Sequence, residues 1–190
     1  MTATAAPAAA GPPVRSHSRA HARNQRLQRA VPVAIAALLA AAYVILSPPT
    51  QDLAAHLFRA DLFAQQGWGL WNDYWYAGHH LPGYSVLFPA VSALLTPQLA
   101  AALAATATAA VFEPFARRHF GERAWLGAAV FGAATAINLY TGRLPLAFGA
   151  LPALAAIAVL DRGLTAPAAA LAFLAALCSP VAALFAALAA

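Results

Sequence analysis

Asp52, His56 and Arg59 follow one another at helical spacing. That spacing puts an acid, an imidazole and a guanidinium on one face of a helix. Pro48 and Pro49 stop any helix that precedes them. The acid would therefore sit at the start of a new element, directly after an apolar run. A carboxylate at such a boundary could take a proton from an acceptor hydroxyl, or hold a divalent cation. The plainer alternative is a helix N-terminal Asp favoured by the helix dipole, with solvated His56 and Arg59 beside it.

A second group lies just downstream. Trp68, Trp71, Tyr74, Trp75 and Tyr76 surround Asn72 and Asp73, and His79, His80 and Tyr84 follow. Flat aromatic faces can stack on the C–H faces of a sugar while Asn72 or Asp73 bonds its hydroxyls. The same residues could instead form the aromatic belt of a membrane interface. His79 and His80 with His56 or Asp52 match no metal-ligand spacing, and the single cysteine, Cys178, excludes a Cys-based metal site. Cys178 reads as a small apolar filler, and Ser179-Pro180 as a helix end. Arg143, in a short turn, could pair with a phosphate or meet lipid head groups.

The elements that must position these residues are apolar helices. Of the 190 residues 62% are hydrophobic and 9% charged, with mean hydropathy +0.67. Soluble domains run to about 45–50% and 25%, so a soluble globular enzyme is excluded. Uncharged apolar runs predict membrane spans at about 31–46, 98–116, 124–139, 144–160 and 165–178, with the start of another at 181–190. The fold class expected is all-α, a polytopic transmembrane helical bundle. The apolar run ending at Ala190 reads as part of a longer protein. A cleaved signal peptide is the rival for the first run, but the lead before it is long and the later chain equally apolar.

Residues 1–29 carry Arg15, Arg19, Arg23, Arg26 and Arg29 and no acid. Their composition predicts a disordered basic tail. A basic tail directly before an apolar segment is a topology signal, placing the N-terminus in the cytoplasm; no nucleic-acid partner is expected. Residues 47–97 would then form an outer loop. In it, 51–66 has an apolar helical stripe, and 84–95 is too short to span, predicting a juxtamembrane helix. Arg117, Arg118 and Arg123 would face inward and Arg143 outward. No ionisable residue falls in the middle of a predicted span, which disfavours an ion-driven carrier.

The order of these features resembles that of the GT-C superfamily of membrane glycosyltransferases, including actinobacterial members. The likeness lies in Gln51-Asp52-Leu-Ala-Ala-His56-Leu-Phe-Arg59 after a first helix, then Gly67, Leu70-Trp71-Asn72, Trp75-Tyr76-Ala-Gly78 and Tyr84-Ser85-Val-Leu-Phe88-Pro89. The resemblance covers roughly residues 31–180. It implies transfer of a sugar from a polyprenyl-phosphate donor at the outer membrane face, in a cell-envelope setting among membrane lipid. Asp52 with His56 would be catalytic, and Arg59, Trp71, Asn72, Asp73, Trp75, Tyr76, His79, His80, Tyr84 and Arg143 would bind substrate. Many members carry paired acids after the first helix, whereas here Gln51 precedes Asp52; a metal-free or inactive form stays open. The other function classes are a carrier or flippase of lipid-linked glycans and a non-catalytic membrane scaffold.

Overall fold

The computed structural model describes residues 15–74 and 76–190, with side chains for all of these except 15–23 and Tyr76. The chain is all-α: eight α-helices, two single-turn 3-10 helices and one minimal two-stranded ladder make up the regular structure among the described residues. The helices are α1 (Arg15–Leu46), α2 (Leu53–Gln66), α3 (Phe88–Leu95), α4 (Pro97–Phe120), α5 (Ala124–Tyr140), α6 (Leu144–Leu160), α7 (Thr165–Cys178) and α8 (Pro180–Ala189).

Their limits follow local chemistry. Thr96 Oγ1 accepts the amide of Leu99 at the start of α4, and Pro97 fills the first helical position, where its missing N–H costs nothing. Ser179 does the same for α8 by accepting from the amide of Ala182, ahead of Pro180. Gly121, Gly142 and Gly163 take positive φ at the three reversals, where a side chain would be strained.

Two expectations are corrected here. The tail expected to be disordered over 1–29 is helical from Arg15 onward. Between Arg15 and Ala30 there is no Gly or Pro, and the Ala, Arg, Gln and Leu there are good helix formers. Extending an existing helix is far easier than nucleating one. Segment 47–97, expected to be an outer loop, contains the two helices expected of it and also a ladder that its turn-rich sequence did not suggest. In that ladder β1 (Trp71–Asn72) pairs antiparallel with β2 (Leu81–Pro82).

Packing is inverted relative to a water-soluble protein. The core is built largely of alanine: Ala40, Ala100, Ala101, Ala102, Ala105 and Ala147 surround Tyr43, Phe88, Leu139 and Leu144. The large apolar side chains point outward, with Ile45 81%, Val130 70% and Phe173 67% exposed. Small residues let helix backbones approach closely. Gly132 of α5 lies against α1 so tightly that a Cβ there would overlap the Pro32 carbonyl oxygen. Likewise Gly149 of α6 admits Ser179, whose Cβ would lie 2.7 Å from a Cβ added at the glycine.

Two segments are long and apolar enough to cross a membrane, Asn24–Leu46 and Pro97–Tyr140. The second is a hairpin: the chain turns at Gly121, and Phe112 of α4 stacks on Phe131 of α5 with ring centroids 3.9 Å apart. Helices α5 and α6 have 17 residues each, about 26 Å at ~1.5 Å per residue. Helix α3, with 8 residues, extends only about 12 Å.

Polar groups are sorted to the two ends of the bundle. At one end Arg117 Nε donates to Glu113 at 2.7 Å, and the Asp161 carboxylate lies 2.9 Å from Arg118 Nε and 3.3 Å from His119 Nε2. At the other end lie Thr50, His56, Tyr84, Gly142 and Ser179, joined by the contacts described next. Between the ends, the Thr106 and Thr108 hydroxyls donate to carbonyls of their own helix, Ala102 and Ala104. No mid-bundle hydroxyl of α4 is thus left to seek a partner elsewhere.

Candidate functional site

Helix α2 starts at Leu53 with Asp52 in the capping position. The Asp52 side chain accepts no bond from the helix amides and is exposed. Capping is the usual reason for Asp at that position, and here it is not what the carboxylate does. Asp52, His56 and Arg59 share the helix face their spacing predicted. That face, with Arg143, Tyr84, Pro145, Leu146 and Val181, lines a cleft of about 410 Å³. Sequence-distant residues are brought to it by two contacts.

The first contact is the turn between α5 and α6. Gly142 adopts φ +80° and packs under Thr50, whose Oγ1 would lie 2.7 Å from a Cβ at that position. The carbonyl of Gly142 accepts a hydrogen bond from His56 Nε2 at 3.0 Å. This brings Arg143, the next residue, to the cleft that Asp52 also lines. The second contact is a strap. Residues 84–87 run along the C-terminal end of α7: Val86 N donates to Leu177 O at 2.9 Å, Ser85 Oγ donates to Cys178 O at 2.6 Å, and the Tyr84 hydroxyl lies 3.1 Å from Ser179 Oγ. These bonds satisfy carbonyls that a helix end leaves open, and they hold Tyr84 at the cleft wall.

His56, expected to be catalytic, is held in place by the fold. It is 7% exposed, and a carbonyl can only accept, so Nε2 carries the proton and Nδ1 is the bare nitrogen. Nδ1 is sealed from solvent and has no hydrogen-bond partner among the described residues. The ring also meets Phe88 edge-on at 5.6 Å. His56 thus positions the 141–143 turn and offers no free nitrogen to the cleft. Burial pushes its pKa down, followed in importance by the Gly142 bond and Asp52, which raise it, and Arg59, which lowers it.

The sign of the consequence follows. With the folded-state pKa below the usual ~6.5, the unfolded chain binds the proton more readily as pH falls below that value. Stability is therefore full above ~6.5 and declines as the pH drops through the folded-state pKa. The melting temperature of the detergent-solubilised protein should fall between pH 7.5 and 5. The fall should be smaller in His56→Gln, whose amide can still donate to Gly142 but does not titrate. An equal fall in both would remove His56 as the cause.

A second cleft, of about 260 Å³, adjoins the first. Its lining includes Trp71, Asn72, Asp73 and His80 from the ladder region, and Arg59, which lines both clefts. Trp71 stacks on His80 with ring centroids 5.6 Å apart and planes at 12°.

The residues expected to bind substrate therefore divide between two neighbouring clefts: Arg59, Tyr84 and Arg143 at one, and Arg59, Trp71, Asn72, Asp73 and His80 at the other. His79 lines neither. Trp75 and the side chain of Tyr76 lie outside the described residues. Arg59 and Arg143 have no ion-pair partner among the described residues. No group of three His, Cys, Asp or Glu side chains comes together among them. A cation at Asp52 would therefore draw its other ligands from water and substrate oxygens.

Sequence reasoning missed Ser85, Gly142 and Ser179. Ser179 reads in the sequence only as a helix end, yet it is fully buried, caps α8 and meets Tyr84. The positive charge of Arg143 drew attention one residue past Gly142; a glycine in a tight reversal was the signal available. No protein-family model matches the chain, and no curated protein or solved structure matches it either.

Proposed function

We propose that the chain is a multi-pass membrane protein that transfers a sugar from a polyprenyl-phosphate donor, in the manner of the GT-C superfamily it resembles. The membrane part of this reading is supported by the inverted packing, alanine inside and large apolar side chains outside. It is also supported by polar groups gathered at two ends about 26 Å apart, close to a ~30 Å hydrocarbon core. The arginine-bearing end, with Arg117, Arg118, Arg123 and Arg162, faces the cytoplasm, and the cleft faces outward.

One observation carries the chemical part: Arg59 and Arg143, without ion-pair partners among the described residues, line one cleft with Asp52, whose carboxylate caps no helix amide. Cations left unneutralised beside a bilayer surface suit a phosphate, and a free carboxylate within the same cleft suits a hydroxyl that must lose its proton. In the reaction, the acceptor oxygen attacks the anomeric carbon and its proton passes to the Asp52 carboxylate. The bond from the anomeric carbon to the phosphate oxygen breaks, and its electron pair leaves on the polyprenyl phosphate. Arg59 and Arg143 stabilise the charge that grows on that leaving group. The carrier alternative is less well supported, because α5, α6, α7 and α8 contain no Asp, Glu, Lys, Arg or His.

The test is single-turnover transfer from a radiolabelled polyprenyl-phosphate sugar by the protein in nanodiscs. Labelled product is expected from the wild type, and Arg143→Gln should raise the donor KM about tenfold, the loss of one charge-assisted contact. Absence of any transfer with a panel of donor sugars, or a KM indifferent to Arg143→Gln, would refute the reading.

A further inference from the structure

We propose that the 260 Å³ cleft beside the ladder is a binding site for a neutral saccharide, the acceptor side of the reaction proposed above. The inference rests on that reading for the word acceptor, but the saccharide site itself stands on its own geometry. The cleft combines a flat aromatic wall with hydrogen-bonding groups of both kinds. Trp71 has one neighbour parallel to it, His80, and is still 56% exposed, so a large part of the indole surface stays open. Asn72 and Asp73 follow it in the chain, and Gln66 and Arg59 come from α2. A pyranose offers an apolar C–H face to stack on an indole and a rim of hydroxyls that need both donors and acceptors.

The wall is fixed in place. Trp71 lies in β1, paired with Pro82, and Gly83 N donates to Leu70 O at 2.7 Å. Trp68, also in the lining, packs edge-on against Phe63 of α2 at 4.9 Å. A rigid aromatic wall lowers the ordering cost of binding. The volume lies just below the ~300 Å³ at which small-molecule pockets usually begin, which suits a single sugar residue better than an extended chain.

Insertion into lipid is the rival use of exposed aromatics. A belt residue presents its ring outward to the interface with apolar neighbours. Here the rings border a concavity that also holds Asp73, Asn72, Gln66 and Arg59, and burying such groups in lipid is unfavourable. Arg59 lines both clefts, so the saccharide site adjoins the cleft that holds Asp52.

Saturation-transfer NMR on the protein in nanodiscs tests this with methyl glycosides of glucose, mannose, galactose and arabinose as probes. Transfer onto the C–H protons of at least one glycoside is expected. Trp71→Ala should weaken its binding tenfold or more, Asn72→Ala should weaken it several-fold, and Trp71→Phe should retain much of it. Trp71 is exposed, so a melting curve unchanged by Trp71→Ala would verify the fold. No transfer with any glycoside, or transfer indifferent to Trp71→Ala, would overturn the proposal. It would also be overturned if brominated lipid in the nanodisc quenched a fluorescence component lost in Trp71→Ala while no glycoside changed that component, making the patch a membrane anchor. Glycoside binding by a protein that transfers no sugar would leave this site standing and remove the transferase. Sugar transfer without glycoside binding at Trp71 would do the reverse.

Discussion

Asp52→Asn is expected to reduce sugar transfer by about 10²-fold or more while leaving the protein folded and expressed. The change removes one negative charge and a proton acceptor and preserves shape. A positioned general base contributes about 10²–10⁴-fold, which sets the expected size. Structure gives the change little else to disturb. The carboxylate is exposed, caps no helix amide and makes no ion pair among the described residues, so stability should move by no more than about 0.5 kcal/mol.

Transfer in nanodiscs, read together with the melting temperature, separates the outcomes. Undiminished transfer in a well-folded Asp52→Asn protein would remove Asp52 as the base. Activity restored by Asp52→Glu, with the carboxylate on a longer stem, would favour proton acceptance over a packing role. Asp61 serves as the comparison because it lines neither cleft. Loss of transfer in Asp73→Asn alone, with Asp52→Asn active, would move the proton acceptor into the neighbouring cleft.

Gly132→Ala should be the most damaging single methyl added to the bundle, with a loss of about 1–3 kcal/mol. In most helices the same change stabilises, by roughly 0.5–1 kcal/mol, because glycine loses more backbone freedom on folding. At Gly132 the new Cβ would overlap the carbonyl oxygen of Pro32 and crowd its carbonyl carbon at 3.1 Å. Those are backbone atoms and cannot turn aside as a side chain could. Pro32 is itself fully buried with its φ fixed by the ring, so α1 and α5 must separate along their length. Gly127, earlier in α5, meets nothing within 4 Å of an added Cβ. Gly127→Ala therefore serves as the matched control and should be neutral or stabilising. Denaturation of the detergent-solubilised variants would show opposite signs for the two glycines. Equal effects would mean that α1 and α5 do not pack as described.

The helical class was legible in residue order because its causes are local. Uncharged apolar runs punctuated by Pro48-Pro49, Thr96-Pro97, Gly121, Gly142, Gly163 and Ser179-Pro180 mark elements wherever they are packed, since proline and glycine act on their own backbone. The common face of Asp52, His56 and Arg59 was legible for the same reason, as one helix turn repeats every ~3.6 residues. The helical start at Arg15 and the Trp71–Pro82 pairing were not. The first depends on a neighbouring apolar helix to nucleate it, and the second is too short to show the alternation that marks a strand.

The site required tertiary structure. His56 meets Gly142 across a separation of 86 residues, and Tyr84 meets Ser179 across 95; no spacing rule reaches that far. Which nitrogen of His56 is committed to the 141–143 turn follows only from the carbonyl that faces it. The sharing of Arg59 between two clefts follows from how α2 lies against the ladder on one side and the 141–143 turn on the other. Residue types named the chemistry available at each position, and packing decided which of those groups are free to use it.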